Sequence, residues 1–487
     1  MTEYRPPRLE NAGDGAMVMR VLPNRPGVGQ FFKTWQAVEV VRMSDAPGGS
    51  EAHYVIGPLL DAMSRSALYA GSLPPGNYRF VKFSAMSCGA LCVESSLTAG
   101  PRFSGFAIQS GKLTDLDVLV QTPPVSFMNA GTVMLTHGHA PLGAETSEIV
   151  AELAPGLKPV LTGPALSWTD SPQATAAIAN LDLLARKLSY GNVSPQALPD
   201  GRILYGSANG MVFEWTPGKR PVAHDIGMRK SVESVLATTD GAWIAGGELA
   251  MLQLTRDQGT SWESIRGDLP LALVLDVHQW QDQLLVTTLR GQSVGVYRSG
   301  LNGGSWTRIG SYEMSLSNFW DVPGVRPQSF LLGNHLFTSL PGRKMADLDL
   351  ATTTSELREL PGAIQMFSVS SDGMLRCRCQ AAIAVNPYES HDMGRTWTSS
   401  NVARFMLMPT FRDQLHGVAL LGHFMAPGTL VYTEDGGSSW TETVTVPANS
   451  QLEFVYGKDG KSVYAMSSQG TAWASFDDGK TWKGGMR

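Results

Sequence analysis

Most of the chain consists of short runs in which apolar and polar residues alternate, separated by Gly, Pro and Asp turns. Up to residue 121 these runs are AMVMRVL, QAVEVVRM, ALYAGSL, NYRFVKFS, FSGFAIQ and LDVLVQT. A period of two is that of a β-strand with one buried face. Because the strands follow one another without a helical pattern, they predict a β-sandwich over residues 1–125.

One helical pattern follows, inside a segment rich in Pro and Gly that we assign as a linker, residues 126–192. Ser171 and Pro172 supply a helix N-cap and a proline at the first helical position. Ile178, Leu181 and Leu188 then follow helical spacing. The sequence therefore predicts a short amphipathic helix at about 172–189.

From residue 193 onward, two-residue turns between apolar runs return at a regular interval. They are Asp200-Gly201, Asp240-Gly241, Gln281-Asp282, Asp372-Gly373, Arg412-Asp413 and Asp459-Gly460. Their spacing implies one more turn near Arg326-Pro327. Seven such units of about 40 residues, each with four strands, suit a propeller. Because one sheet cannot cover both of its faces alone, we expect a closed seven-bladed β-propeller at 193–487.

A second repeat has the same period as the turns. TRDQGTSW, ending at Trp262, returns as SHDMGRTW, TEDGGSSW and SFDDGKTW, with a diverged copy, SGLNGGSW, ending at Trp306. The shared Asp suits hydrogen bonds to amides of its own turn, the Gly suits a positive φ, and the Trp suits packing between sheets. These motifs resemble Asp-box (BNR) repeats, which lie between the third and fourth strands of propeller blades.

The repeat therefore predicts structural roles for its aspartates and tryptophans. These residues are Asp257, Trp262, Trp306, Asp392, Trp397, Asp435, Trp440, Asp477 and Trp482. In the family that these repeats resemble, the boxes lie on the rim, away from ligands. We expect the opposite face, or the central channel, to carry any binding site.

Charged residues predicted at that face are the candidate ligand- or partner-binding groups, and mixed acids and arginines can orient a polar ligand. The candidates are Arg266, Arg290, Arg308, Arg404, Glu233, Asp276, Glu453 and Tyr312, with Gln365, His335 and His423 on the same predicted face. A solvated channel mouth is the alternative interpretation.

Bulk properties exclude several classes of function. The chain has 487 residues and a net charge of −5, and it carries no basic arm of the kind that binds nucleic acid. No apolar run is long enough for a transmembrane segment, and no cofactor motif is present. The N-terminus does not read as a signal peptide. Because similar Asp-box proteins are mostly exported, we expect a periplasmic, cell-envelope or extracellular protein whose export signal has been removed.

Cysteine and histidine pairs are weaker candidates for chemistry. Cys88 and Cys92 could close a small disulfide loop in an oxidising compartment. Cys377 and Cys379 share a face of a predicted strand, which favours packing over half of a metal site. The segment THGHAPLGAE holds two histidines and a glutamate, and we expect an ordinary loop there rather than a metal site.

Two functions of different classes follow from the resemblance. Sialidase-like propellers use three arginines, a Tyr nucleophile with a Glu partner, and an acid/base Asp. Their opening Phe/Tyr-Arg-Ile-Pro motif is absent here, where Arg202-Ile203 is followed by Leu204. Another glycoside hydrolase could use two carboxylates such as Asp276 and Glu453.

The favoured function is a non-catalytic binding or assembly protein of the bacterial cell envelope, similar to photosystem II assembly factor-like propellers. The predicted face would hold a protein partner, without a cofactor or a metal. A lectin-like binder would instead stack a glycan on Trp280, Trp320 or Tyr312.

Overall fold

The computed structural model describes most of the chain. The described residues are 2–22, 35–44, 49–59, 67–88, 92–99, 105–122, 134–138, 145–168, 175–176, 179, 195–207, 209–314, 326–381, 384–400, 402, 406–422, 427–447, 452–467 and 471–486. Within these ranges, every helix falls short of the length and apolar character needed to cross a bilayer. The contacts divide the chain into two compact units, residues 1–187 with 227–229 and residues 188–226 with 230–487.

The first unit contains two β-sheets and one α-helix among its described residues. Its strands are β1 (Thr2–Arg5), β2 (Gly15–Leu22), β3 (Ala37–Arg42), β4 (Ala52–Ile56), β5 (Pro58–Leu59), β6 (Ala67–Leu73), β7 (Gly76–Cys88), β8 (Cys92–Thr98), β9 (Phe106–Ile108), β10 (Leu113–Thr122) and β11 (Met134–Gly138). One sheet has the order β1-β4-β3-β7-β8, with β9 also paired to β7, and the other has the order β11-β10-β2-β6-β5.

Alternation along β2 explains how these sheets pack. Met17 and Met19 point into a cluster that also takes Phe80 and Phe83 of β7, so the two sheets share one core. All six runs predicted from alternation overlap strands of this unit. The remaining strands are too short or too irregular to give a period.

The opposite face of β2 is covered by residues that the sequence assigned to the linker. Ala16 and Val18 pack with Val150 of helix α1 (Glu145–Leu153) and Val160 of a following 3-10 turn (Lys158–Val160). Trp168 joins the core between the sheets. Residues 145–168 are therefore part of the first unit. The helix predicted at about 172–189 lies almost entirely outside the described residues.

The second unit contains seven four-stranded antiparallel sheets among its described residues, here called sheets 1 to 7. Sheet 1 is β12 (Gln196–Ala197), β13 (Ile203–Gly206), β14 (Met211–Trp215) and β15 (Val222–Asp225); sheet 2 is β16 (Val232–Ala237), β17 (Trp243–Gly247), β18 (Leu252–Thr255) and β19 (Glu263–Ser264); sheet 3 is β20 (Leu273–Trp280), β21 (Gln283–Arg290), β22 (Ser293–Gly300) and β23 (Thr307–Glu313); sheet 4 is β24 (Gln328–Leu332), β25 (His335–Leu340), β26 (Lys344–Asp349) and β27 (Thr354–Glu359). Sheet 5 is β28 (Ala363–Val369), β29 (Leu375–Ala381), β30 (Ala384–Ser390) and β31 (Thr398–Ser399); sheet 6 is β32 (Met406–Phe411), β33 (Gly417–Leu421), β34 (Gly428–Thr433) and β35 (Thr441–Val446); sheet 7 is β36 (Leu452–Tyr456), β37 (Val463–Ser467), β38 (Ala472–Ser475) and β39 (Lys483–Met486).

The first strands of consecutive sheets contact one another, from β16 through β20, β24, β28 and β32 to β36. The last of these, β36, also contacts β12 of sheet 1. Rings of Trp215 and Tyr464 meet edge-on between sheets 1 and 7, with centroids 6.2 Å apart. Radially repeated four-stranded sheets of this kind define a β-propeller.

Six of the seven predicted first hairpin turns fall between the first two strands of a sheet, and the seventh is corrected by the structure. In sheet 4 this turn is Gly333-Asn334, between β24 and β25, whereas Arg326-Pro327 precedes β24. The prediction was wrong because it spread the turns evenly, and the segment before β24 is longer than average.

The repeated turn, defined as residues 255–262 and their equivalents, lies between the third and fourth strands of its sheet. In sheet 2 the Thr255 hydroxyl donates to Oδ1 of Asp257 (2.7 Å) and accepts from the Gly259 amide (2.9 Å). The same carboxylate accepts the amide and the hydroxyl of Ser261 at 2.8 and 2.6 Å. Equivalent bonds surround Asp392, Asp435 and Asp477. Each carboxylate is thus engaged within its own turn.

Glycine is required in this turn for two reasons. Gly394 and Gly479 have φ of 83° and 86°, a conformation that disfavours a side chain. A Cβ on Gly479 would lie 2.5 Å from Val418 of sheet 6, and one on Gly394 would lie 2.9 Å from Met345 of sheet 4. The turn therefore packs directly against the preceding sheet.

Sheet 3 carries the diverged copy, in which Leu301 occupies the aspartate position. The carboxylate of Asp268, in the segment that follows sheet 2, accepts the Trp306 amide at 2.7 Å. The Trp306 indole donates to the Ile265 carbonyl at 3.3 Å. A carboxylate from the segment between sheets 2 and 3 thus holds this turn, through the amide one position after the one that the motif's own aspartate accepts.

The cysteine pair on β29 is buried, as predicted, but its sulfurs are joined. Cys377 and Cys379 are 1 % and 0 % exposed and lie in the core between sheets 4 and 5. They form a disulfide, with Cα atoms 5.5 Å apart. The expectation of two separate packing residues is corrected accordingly. Cys88 and Cys92 are opposite one another in the β7–β8 register, and their side chains lie outside the described residues.

We expect the repeated turns to make the free energy of unfolding decrease at acid pH. The hydroxyl and amide of Ser261 lower the pKa of Asp257 to about 2, and Ser439 does the same for Asp435, from 3.8. A lowered native pKa stabilises the fold above the unfolded value, and this is lost as pH falls from about 4 to 2. Urea unfolding of Asp435→Asn should show a smaller loss over that range than the wild type. Glu442→Gln, on exposed β35, is the control, and equal slopes for the wild type and Asp435→Asn would contradict the assignment.

The substitute carboxylate of sheet 3 gives a second prediction. Asp268→Ala should lower the free energy of unfolding by about 1 kcal/mol, as loss of a local cap does. Adding Leu301→Asp, which restores the motif's own carboxylate, should recover part of that loss. Denaturant melts of the single and double variants measure both, and a double variant less stable than Asp268→Ala would show that Asp268 has another role.

Candidate functional site

The first strands of sheets 2 and 3 depart from regular pairing near their beginnings. The register shifts between Val232 and Ser234 in β16, and between Val274 and Asp276 in β20. Such bulges re-aim side chains and are common beside functional sites. Glu233 is the bulged residue of β16, and Asp276 directly follows the bulge of β20.

Asp276 is held by the next sheet. Its Oδ2 accepts the Ser329 amide at 2.7 Å and the Ser329 hydroxyl at 3.1 Å. Burial raises the pKa of Asp276 to about 6, the two Ser329 bonds oppose this rise, and the charge of Glu233 adds to it. The carboxylate of Glu233, from the neighbouring sheet, therefore acts on Asp276 at this point.

A serine, a histidine and an aspartate meet here without forming a catalytic triad. The hydroxyl of Ser329 also lies 3.0 Å from Nε2 of His278 and accepts from the Thr287 hydroxyl at 2.9 Å. Because the only proton of Ser329 is directed at Asp276, Nε2 of His278 must act as the donor. In a triad the carboxylate orients the histidine, which removes the serine proton. Burial lowers the pKa of His278 to about 4, so the ring is neutral at pH 7.

Glu233 forms an ion pair with an arginine from the segment that precedes sheet 4. Its Oε2 lies 3.3 Å from Nη1 of Arg326, and its Oε1 accepts the Ser231 hydroxyl at 2.6 Å. The Glu233 side chain is 4 % exposed and that of Arg326 is 34 % exposed. We call Glu233, Asp276, His278, Arg326 and Ser329 the inner-strand cluster. It joins sheets 2, 3 and 4, with the guanidinium on its solvent side.

Backbone strain lies beside the cluster. Glu248 is fully buried, and its Oε1 accepts the Ser231 amide at 2.9 Å. The next two residues, Leu249 and Ala250, have φ of 56° and 54°, although neither is glycine. Such strain costs about 1–3 kcal/mol per residue and concentrates at functional sites. Sheet 2 thus supports the cluster with a rigid, strained hairpin.

The structure separates the predicted arginines. Arg290 ends β21 at the same end of sheet 3 at which β20 begins, which is the cluster end. Arg308 directly follows the repeated turn, and Arg266 lies beside Asp268, whose carboxylate holds that turn. The expectation that Arg266 and Arg308 share the face opposite the turns is therefore wrong. The prediction was wrong because a sequence repeat indicates the order of the strands but not the path of the segments that connect one sheet to the next.

Tyr312 and Trp280 are not part of the inner-strand cluster. Tyr312 lies on β23, the outermost strand of sheet 3, with its ring 5 % exposed. Trp280 ends β20 and donates its indole N–H to Oδ1 of Asn334 at 3.2 Å. Glu453 is the second residue of β36 in sheet 7, away from sheets 2 to 4. The carboxylate that acts on Asp276 is thus Glu233 rather than Glu453.

Several candidates are outside the described residues, namely Arg404, His423, Trp320 and His139, and so are the side chains of His137 and Glu145. Among the residues that the structure does describe, no group of three or more His, Cys, Asp or Glu side chains is arranged to hold a metal ion.

Sequence reasoning found Glu233 and Asp276 but missed their partners. The turn spacing predicts a turn at Arg326, and no sequence pattern singles out Ser329 or His278. The available signal was a polar residue where a strand's apolar alternation fails, as at Glu233. Which sheet supplies the partner depends on packing between sheets that are distant in sequence.

The fold therefore defines a β-propeller protein. No protein-family model and no curated protein matches the chain. The chain is similar to a solved structure of YCF48 bound to D1 peptide, with 15% identity over 60% of this chain and 96% of that chain and a TM-score of 0.44. YCF48 from Cyanidioschyzon merolae has 17% identity over 52% and 85% of the two chains, with a TM-score of 0.39.

A protein from Bacteroides uniformis, described as a 6-phosphogluconolactonase, has 11% identity over 56% of this chain and 90% of that chain, with a TM-score of 0.40. Propellers host unrelated activities. The function of this chain therefore has to follow from its own residues.

The raised pKa of Asp276 predicts a pH effect opposite to that of the repeated turns. A raised native pKa stabilises the fold below the unfolded value of 3.8, and this contribution is lost as pH rises through about 6. Asp276→Asn keeps an oxygen to accept the Ser329 amide and removes the titration. Relative to the wild type, its unfolding free energy should improve between pH 4.5 and 7.5. Asp282→Asn, in the turn after β20, is the control, and an unchanged pH dependence in Asp276→Asn would refute the prediction.

Proposed function

We propose that this chain is a non-catalytic binding or assembly protein that holds a segment of a protein partner at the inner-strand cluster. In this proposal sheets 1 to 7 are the seven blades of a closed propeller with Asp-box repeats. The first unit is an immunoglobulin- or transthyretin-like β-sandwich that docks to a larger complex. No cofactor or metal is needed for this role.

The convergence of Glu233, Asp276 and Arg326 from three consecutive sheets carries the proposal. The three side chains carry charges of both signs, and hydrogen bonds from Ser231 and Ser329 orient the two carboxylates. A partner's carboxylate could pair with the guanidinium of Arg326, and its cationic side chain with the acids. Because the groups are held by rigid strands, little ordering cost would arise on binding.

The location is part of the proposal and rests on the motif resemblance. Proteins with similar Asp-box repeats are mostly exported, so we place this one in the bacterial cell envelope, the periplasm or the extracellular space. A glycan is the other ligand for which the cluster's hydroxyls and carboxylates are chemically suited. Trp280, a stacking candidate for a glycan, ends β20, whereas Asp276 lies near the beginning of that strand. This separation favours a peptide over a stacked sugar ring at the cluster.

A glycoside hydrolase is the alternative, and one observation favours it. A carboxyl with a pKa of about 6 beside a second carboxylate is the pairing that glycosidases use as acid and base. Against it, the Oδ2 atom of Asp276 is engaged by both the amide and the hydroxyl of Ser329. The separation of Arg266, Arg290 and Arg308 also argues against sialidase chemistry in particular.

Partner capture by the full-length chain tests the proposal. Wild type, Glu233→Gln, Arg326→Gln and the control Arg308→Gln would be immobilised and incubated with a cell-envelope extract, and the retained proteins quantified by mass spectrometry. One protein should be retained by the wild type and by Arg308→Gln, and reduced at least tenfold with the two cluster variants. Circular dichroism confirms that each variant is folded.

The same samples should be assayed with fluorogenic glycosides. Turnover by the wild type that is lost in Asp276→Asn would replace the binding proposal with the hydrolase. Retention of the same proteins by all four samples would show that the partner binds elsewhere on the molecule.

A further inference from the structure

A cavity lies between sheets 5 and 6, apart from the inner-strand cluster. Its enclosed part is small, about 20 Å³, and the rest opens to solvent. Apolar groups of both sheets form much of its wall, among them Met366, Val402, Pro409 and Phe411. The polar residues of the lining are two arginines, Arg376 and Arg378, together with Ser368, Ser400 and Tyr388.

The alternation of β29 places these arginines together. Cys377 and Cys379 face the core between sheets 4 and 5. Arg376 and Arg378 are therefore on the opposite face, toward sheet 6, and are two residues apart, about 7 Å along the strand. Layers between neighbouring sheets of a propeller are ordinarily apolar, so a pair of cationic side chains requires an explanation.

Arg376 is held in place with part of its donor capacity unused. Its guanidinium carbon lies 3.6 Å from the centroid of the Phe411 ring, and Nη2 donates to the Gln414 carbonyl at 3.1 Å. The residue is 8 % exposed, and its Nε is buried without a hydrogen-bond partner. Burial lowers the pKa of Arg376 to about 10 and that of Arg378 as well. Burying a donor without a partner is costly.

Three acids act on Arg376, and the strongest is Glu389, which lies opposite it on β30, outside the cavity lining and 3.8 Å from His391. The other two, Asp372 and Asp413, are bound elsewhere. Asp372 accepts from the Ser370 hydroxyl and the Gln414 amide. Asp413 accepts from the amide and ring of His416. Both carboxylates belong to first hairpin turns, so they stabilise corners of sheets 5 and 6 rather than fill the cavity.

We propose that this cavity is a binding site for a carboxylate group, held by Arg376 and Arg378. A planar carboxylate matches the fork of a guanidinium and would supply acceptors and a negative charge between the two arginines. The carboxylate could belong to a small organic acid or to the C-terminus of a peptide. The site is independent of the inner-strand cluster, so either proposal can fail without the other.

Titration of the intact chain with sodium acetate tests the site, with sodium chloride at equal ionic strength as the reference. Acetate should raise the Tm of the wild type above the chloride value, because a ligand of the native state stabilises it. Isothermal titration should show at least tenfold weaker acetate binding in Arg378→Gln. Arg378→Lys should recover part of the affinity, and Arg308→Gln, on an exposed strand, should behave as wild type.

A second arm distinguishes the sources of the carboxylate. A short peptide with a free C-terminus that competes with acetate, while its C-terminal amide does not, would assign the site to a peptide. Competition by neither would assign it to a small acid. Equal effects of acetate and chloride on the wild type, or unchanged acetate affinity in Arg378→Gln, would overturn the proposal.

Discussion

The propeller depends on contact between each sheet and the next. A four-stranded sheet with two apolar faces is unstable alone, so each face must be covered by a neighbour. The repeated turn is one device for this, since its glycine lies against the preceding sheet while its aspartate holds the turn. Where the turn's own aspartate is absent, Asp268 reaches the turn from the segment between sheets 2 and 3. Between sheets 1 and 7 an aromatic pair, Trp215 and Tyr464, makes the contact.

The same constraint explains where polar chemistry can collect. Most of each inter-sheet layer must be apolar, so charged side chains are tolerated where bulged first strands meet at one end, or where a cavity relieves the packing. The inner-strand cluster satisfies its buried groups through bonds between sheets, such as Ser329 to Asp276. The charged groups of the cluster, and the strained residues Leu249 and Ala250 beside it, are therefore held in place by the surrounding sheets.

Sequence reasoning succeeded where the information is local. The hydroxyl residues, Asp and Gly of the repeated turn form a hydrogen-bond network within eight residues. Alternation identified six of the strands of the first unit. Sequence reasoning failed where the information is distant: Arg326 approaches Glu233 across 93 positions, and the positions of Arg266 and Arg308 depend on segments without a period. The sequence places residues 145–168 in a linker because the apolar face of a helix does not indicate which sheet the helix covers.

Native-state hydrogen exchange of the intact chain tests the closed ring most directly. If sheets 1 and 7 close on each other, amides of β13 and β37 have to open together with those of β25 in sheet 4. The account predicts similar protection factors for these three strands. Protection that is strong in sheet 4 and falls steadily toward both β13 and β37 would indicate an open array of sheets with frayed ends, and would contradict it.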